Sequence, residues 1–165
     1  MSLEPKDFAE YPLQIGGNTR QLGQVYVRTA DYYAVHYDRP DAAPADAVAS
    51  LEDGSIAIMS GAVPRNQADA SISPVYRVEP GGSLVVPTGR VFVRFSEQTT
   101  AHAHQTAIER AGYTIVNSPV YAPHAAWVAA QSGNTADALN GVAQLEAIPD
   151  IENVELQMLM SRSLK

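Results

Sequence analysis

The chain has 165 residues, 45% of them apolar and 18% charged, a composition that folds and fits one compact domain or two small subdomains sharing an interface. Its net charge of −7 and pI near 4.9 come without the basic stripe that displaces counterions from phosphate, which argues against nucleic acid and anionic membrane surfaces. Cysteine is absent, so disulfides, thiol nucleophiles and thiolate metal sites are excluded.

Residues 1–20 read as a polar lead-in. "MSLEPKDFAEYPLQ" has no apolar core of signal-peptide length, and no run approaches the roughly 20 apolar residues of a membrane helix. The expectation is a soluble chain, carried out of the cell, if at all, by a route other than a visible signal. Residues 21–89 read as a β-rich N-terminal subdomain. Gln24 to Thr29 and Tyr32 to Asp38 have strand alternation, and Ala30-Asp31 between them suggests a tight hairpin. "ADAVASLEDG" suggests a short helix ending at Gly54, "SIAIMSGAV" a short strand, and "PRNQADASISP" a loop. Two β pieces flank a Pro80-Gly81-Gly82 turn.

After Gly89 the rhythm becomes regular. Arg90 to Ser96 alternates as a strand, with Val91, Val93 and Phe95 on one face and Phe92 and Arg94 on the other. Thr99 or Thr100 can cap a helix whose stripe is Ala101, His104, Ala107, Ile108 and Ala111, closed by Gly112. Strands follow at Tyr113 to Pro119 and His124 to Gln131. A second helix is capped by Asn134 or Thr135, carries Leu139, Val142 and Leu145, and stops before Pro149; "IENVELQM" is the last strand. Residues 90–158 therefore predict β-α-β-β-α-β. This is an α+β, ferredoxin-like antiparallel sheet with two helices on one face and the other face open.

The chemistry-bearing residues make no recognisable catalytic or metal set. His102 and His104 are two apart on a helix, where side chains diverge; His36 and His124 are isolated, and zinc spacings are absent. Ser60 lacks a nucleophile elbow, and "IGGNTR" and "PGGSL" lack the P-loop lysine and read as turns. Glu52-Asp53 and the acids Asp150, Glu152 and Glu155 fit solvated edges, or carboxylates that cap a partner's helix N-termini. Tyr32, Tyr33 and Tyr37 mark the expected hairpin. Phe92 and Trp127 fit core packing, or anchors on an open sheet face.

"RVFVRFSEQTT…AIERAGYTIVNSPVYAPHAAWVAAQSGNTADALNGVAQLEAIPDIENVELQM" resembles the N-terminal prodomain of bacterial subtilisin-like serine proteases, of the fervidolysin-like kind. The likeness rests on Val91-Val93-Phe95, Gly112 with Ile115-Val116, Ala122-Pro123-His124 through Trp127-Val128, Ala138-Leu139 with Leu145, and Val154-Glu155. Tyr32 to Val35 and "VYRVEPGGSLVVPTGRVFVRF" extend it to the front half. These are soft apolar patterns, and the protease is missing: the segments that carry its Asp, His and Ser do not occur.

The resemblance implies a non-catalytic chaperone and inhibitor of a subtilisin-like serine protease, in the same polypeptide or a separate chain, exported with it. No cofactor or metal is implied. Its open sheet face, with Phe92, Arg94, Trp127 and Glu155, would lie on the enzyme. A tail over 159–165 (Leu159, Met160, Ser161, Arg162, Ser163, Leu164 and Lys165) would enter the substrate cleft by strand addition. Two other expectations stay open: a structural or adaptor interaction domain, and a small-molecule-binding regulatory module of ferredoxin-like fold.

Overall fold

The structure, a computed structural model, describes residues 8, 10–16, 25–63, 71–79 and 81–160. It is sheet-dominated α+β, with mostly antiparallel pairing and short helices. The strands are β1 (Gln14–Ile15), β2 (Val25–His36), β3 (Ala49–Leu51), β4 (Ile56–Ser60), β5 (Ser71–Glu79), β6 (Leu84–Phe95), β7 (Tyr113–Asn117), β8 (Ala125–Ala130) and β9 (Ile151–Met160). The helices are α1 (Gln105–Arg110), preceded by a 3₁₀ turn at His102–His104, α2 (Thr135–Asn140) and α3 (Val142–Glu146). Chain contacts divide into two units. The first takes the described residues of 1–13, 26–87 and 158–165, the second those of 14–25 and 88–157.

In the first unit the strand order is β3-β4-β2-β5-β6. The hairpin expected at Ala30-Asp31 does not form. A two-residue β-turn of the common kind needs positive φ, neither residue has it, and β2 runs straight through with Tyr32 to His36 paired antiparallel to Ser60 to Ile56. The helix expected before Gly54 is also replaced. Ala49, Ser50 and Leu51 pair with Ile58, Ala57 and Ile56 across a turn in which Glu52, Asp53 and Gly54 all take positive φ. Burial of Leu51 beside Ile56 overrides the helical preference of the alanines. The Gly81-Gly82 turn is a β5–β6 hairpin, both glycines at positive φ, with Tyr76 opposite Val85.

Alternation along β2 separates two cores. Ala34 joins Leu51, Ile56, Ile58, Val75 and Val86, with Tyr32, Ala49, Leu84 and Leu159 packed around them. Tyr33 and Val35 point the other way and join Phe8 and Val63. Phe8 and Tyr11 thus lie in a core, where a polar lead-in was expected. They are held by the Arg28 guanidinium, which donates to both their carbonyls. The Tyr76 hydroxyl donates to Pro12 O at 2.7 Å, and its burial pushes its pKa well up.

In the second unit the sheet order is β9-β6-β8-β7. Arg90 to Arg94 pair antiparallel with Ala129 to Ala125, and Tyr113 to Ile115 with Ala130 to Val128. Pairing departs from an isolated four-stranded set, because β6 is long enough to take β5 as well as β8 and β9 as partners. Thr100 Oγ1 accepts from Ala103 N at the 3₁₀ turn, and Gly112, at φ 99°, ends the α1 segment. The single second helix expected from Asn134 to Pro149 is broken at Gly141. The Tyr113 hydroxyl donates to Ala138 O, the carbonyl that a continuous helix would offer to Val142 N. A Cβ at Gly141 would lie 2.7 Å from that hydroxyl.

Candidate protein-binding face

The register decides which side chains share a face of the second unit. Val91, Val93 and Phe95, with Ala126 and Val128 opposite, form the inner side and are fully buried. Both helical segments meet this side. The His104 ring stacks on Phe95 at 4.4 Å, while Tyr113, in the same row set as Ala130, reaches α2 through Ala138. Val154 and Leu156 of β9 are buried too.

Phe92, Arg94 and Trp127 therefore project from the opposite side. Phe92 and Trp127 are register partners and touch edge to face, with ring centroids 5.1 Å apart at 61°. Both are half-buried and keep part of their surface accessible. Arg94, next along β6, is exposed. Glu155 alternates with Val154 and Leu156 and is also exposed, its Oε2 accepting from Asn153 Nδ2 at 2.8 Å. The four residues read from sequence as an open-face set are thus two contacting rings, a cation and a carboxylate, all at least partly accessible. In protein interfaces generally, aromatic rings are buried at the centre and charges sit at the rim.

The other expected contact residues fare differently. Leu159 and Met160 are the last residues of β9, not the start of a tail. Leu159, partly buried, packs against the first unit's core cluster that includes Ala34, Val75 and Val86, and Met160 is exposed. Ser161, Arg162, Ser163, Leu164 and Lys165 lie outside the described residues.

Two of the histidines, His36 and His104, have structural partners. His36 Nε2 lies 2.8 Å from Ser73 Oγ, and Ser73 is buried; burial lowers the His36 pKa. His104 Nε2 lies 3.5 Å from Asp150 Oδ2. Among the described residues no group of His, Asp and Glu is arranged to hold a metal ion. A cleft of about 90 Å³ beside Gly89, Arg90 and Asn134 is well below the roughly 300 Å³ of a small-molecule site.

Sequence reading missed one exposed feature. In the β7–β8 loop Val120 is 96% and Tyr121 90% exposed. The available signal was an apolar pair between Pro119 and Pro123, inside residues 111–132, which contain no Asp, Glu, Lys or Arg. Comparison with protein families, curated proteins and solved structures finds no match for the chain.

Proposed function

We propose that the second unit is a ferredoxin-like, prodomain-type module, and that the chain binds a subtilisin-like serine protease as folding helper and inhibitor without catalysing a reaction itself. The observation that carries the reading is the partly exposed Phe92–Trp127 pair on the sheet side away from the helices. The strand order β9-β6-β8-β7, with a helical segment after β6 and another after β8, supports the module type. On this reading Phe92 and Trp127 are buried against the enzyme, Arg94 and Glu155 sit at the rim, and Ser161 to Lys165 follow into the substrate cleft. The module travels with its protease and needs no cofactor, nucleic acid or membrane.

The test is titration of the chain into an active subtilisin-type protease during chromogenic peptide cleavage. Phe92→Ala/Trp127→Ala and a chain ending at Met160 are run alongside. Ending at Met160 keeps Leu159 in its core, so a lost effect reports the tail and not unfolding. Inhibition by the intact chain, weakened about tenfold or more by the double substitution, is the expected result. An intact chain that is digested without slowing cleavage, or inhibition indifferent to both changes, overturns the proposal.

A further inference from the structure

The open side of the second unit has a charge pattern unlike that of the chain as a whole. Between Thr88 and Gln157 there are three Arg, no Lys and seven Asp or Glu. Two of the three cations, Arg90 and Arg94, stand on β6 either side of Phe92. Val91 and Val93 between them are fully buried, so alternation puts Arg90, Phe92 and Arg94 together on the side away from the helices. Several of the acids lie elsewhere. Glu109, Asp137 and Glu146 belong to the helical segments, and Asp150 faces His104.

The fold makes no use of either guanidinium. Arg28 and Arg77 donate to backbone carbonyls. The Arg90 and Arg94 side chains are exposed and have no hydrogen-bond or carboxylate partner among the described residues. Glu155, on the same side, is engaged along its own strand, its Oε2 accepting from Asn153 Nδ2.

Four residues of strand at about 3.3 Å each set the two arginines about 13 Å apart, with the Phe92–Trp127 ring pair between them. A protein surface that covers the rings also meets both guanidinium groups. Against an apolar or basic surface they would be desolvated without compensation. Against carboxylates they form charge-assisted bonds, bidentate where the geometry allows.

We infer that the surface seated on this face is acidic, with two carboxylates on the order of 13 Å apart, one on either side of an apolar strip that covers Phe92 and Trp127. Arg90 and Arg94 receive them. This rests on the reading that the face meets the protease, and it names the chemistry of the enzyme's surface there. A chain of −7 net charge repels an acidic surface at long range. The two arginines offset that repulsion for one approach, the one that leads with the open side.

Inhibition of an active subtilisin-type protease by the full chain, and by Arg90→Gln/Arg94→Gln, Glu155→Gln and Arg110→Gln, tests this at low salt and at about 1 M salt, where the Debye length falls to about 3 Å. The double substitution is expected to weaken inhibition about fivefold or more at low salt, chiefly through slower association, and to come within about twofold of the parent at high salt. Glu155→Gln removes a like charge and is expected to strengthen inhibition by about twofold. Arg110→Gln, on α1, leaves it unchanged. All four side chains are exposed, so the variants keep the parent's melting temperature. Inhibition by the full chain that the double substitution does not weaken, or that Glu155→Gln weakens, overturns the inference and leaves the protease reading standing. A loss that Arg110→Gln reproduces does the same. A full chain that does not inhibit overturns both.

Discussion

His36 is held neutral in the fold. Its Nε2 meets the Ser73 hydroxyl, and burial places its pKa below the ordinary value of about 6.5. The unfolded ring takes up a proton more readily than the folded one. The stabilisation is therefore complete above about pH 6.5 and is lost as the pH falls from there through the folded value. Urea unfolding near pH 7.5 and near pH 5 is expected to show the parent losing more stability than His36→Gln; parallel losses would contradict the burial effect. Tyr113 makes a second residue-scale test, because its hydroxyl holds Ala138 O and fills the space beside Gly141. Tyr113→Phe should cost about 1 kcal/mol and Gly141→Ala about 1–3 kcal/mol by overpacking. The two should not add, since removing the hydroxyl relieves part of the clash. Thermal melts of the two single variants and the double variant measure this.

Within the elements, β6 depends on Gly89. Its φ is 91°, and an added Cβ would stand 3.0 Å from Thr135 Oγ1, so backbone and side-chain strain act together. Gly89→Ala is expected to destabilise by about 1–3 kcal/mol, read as a shift in the urea midpoint; a neutral result would mean that Thr135 and the strand yield. The elements after Gly89 were legible because their signals are local. Val91, Val93 and Phe95 alternate, Asn134 caps α2 with its side chain, and Gly112 marks the end of α1. Phe92 and Trp127 were legible as candidates, but not as neighbours, since their pairing is a matter of register. The elements before Gly89 were less legible because long-range pairing decides them. Ala49 to Leu51 look helical until Ile56 to Ile58 supply a ladder. Phe8 looks solvated until Tyr33 and Val35 supply a core. The break at Gly141 was hidden for the same reason, since its cause is Tyr113, far away in sequence.

At the scale of the molecule, the two units share the chain unequally. Phe8 anchors the first unit from the N-terminal side, and Phe8→Ala should cost about 3 kcal/mol or more, visible as earlier unfolding in denaturant with Trp127 of the second unit as contrast. Leu159 reaches the same unit from the far end of the sequence. Between Pro87 and Met158 the chain is occupied with the second unit. During synthesis at about 5–20 residues per second, those roughly 70 residues delay the missing piece by several seconds. The first unit begins to emerge from the ribosome first and is completed last. Until Leu159 arrives, the apolar side of Ala34, Ile58, Val75 and Val86 lacks one of its walls. Nascent chains stopped before Leu159 should therefore be cut by protease within 26–87, while chains carrying it resist. The first unit is therefore incomplete until the residues that follow the second unit have been made.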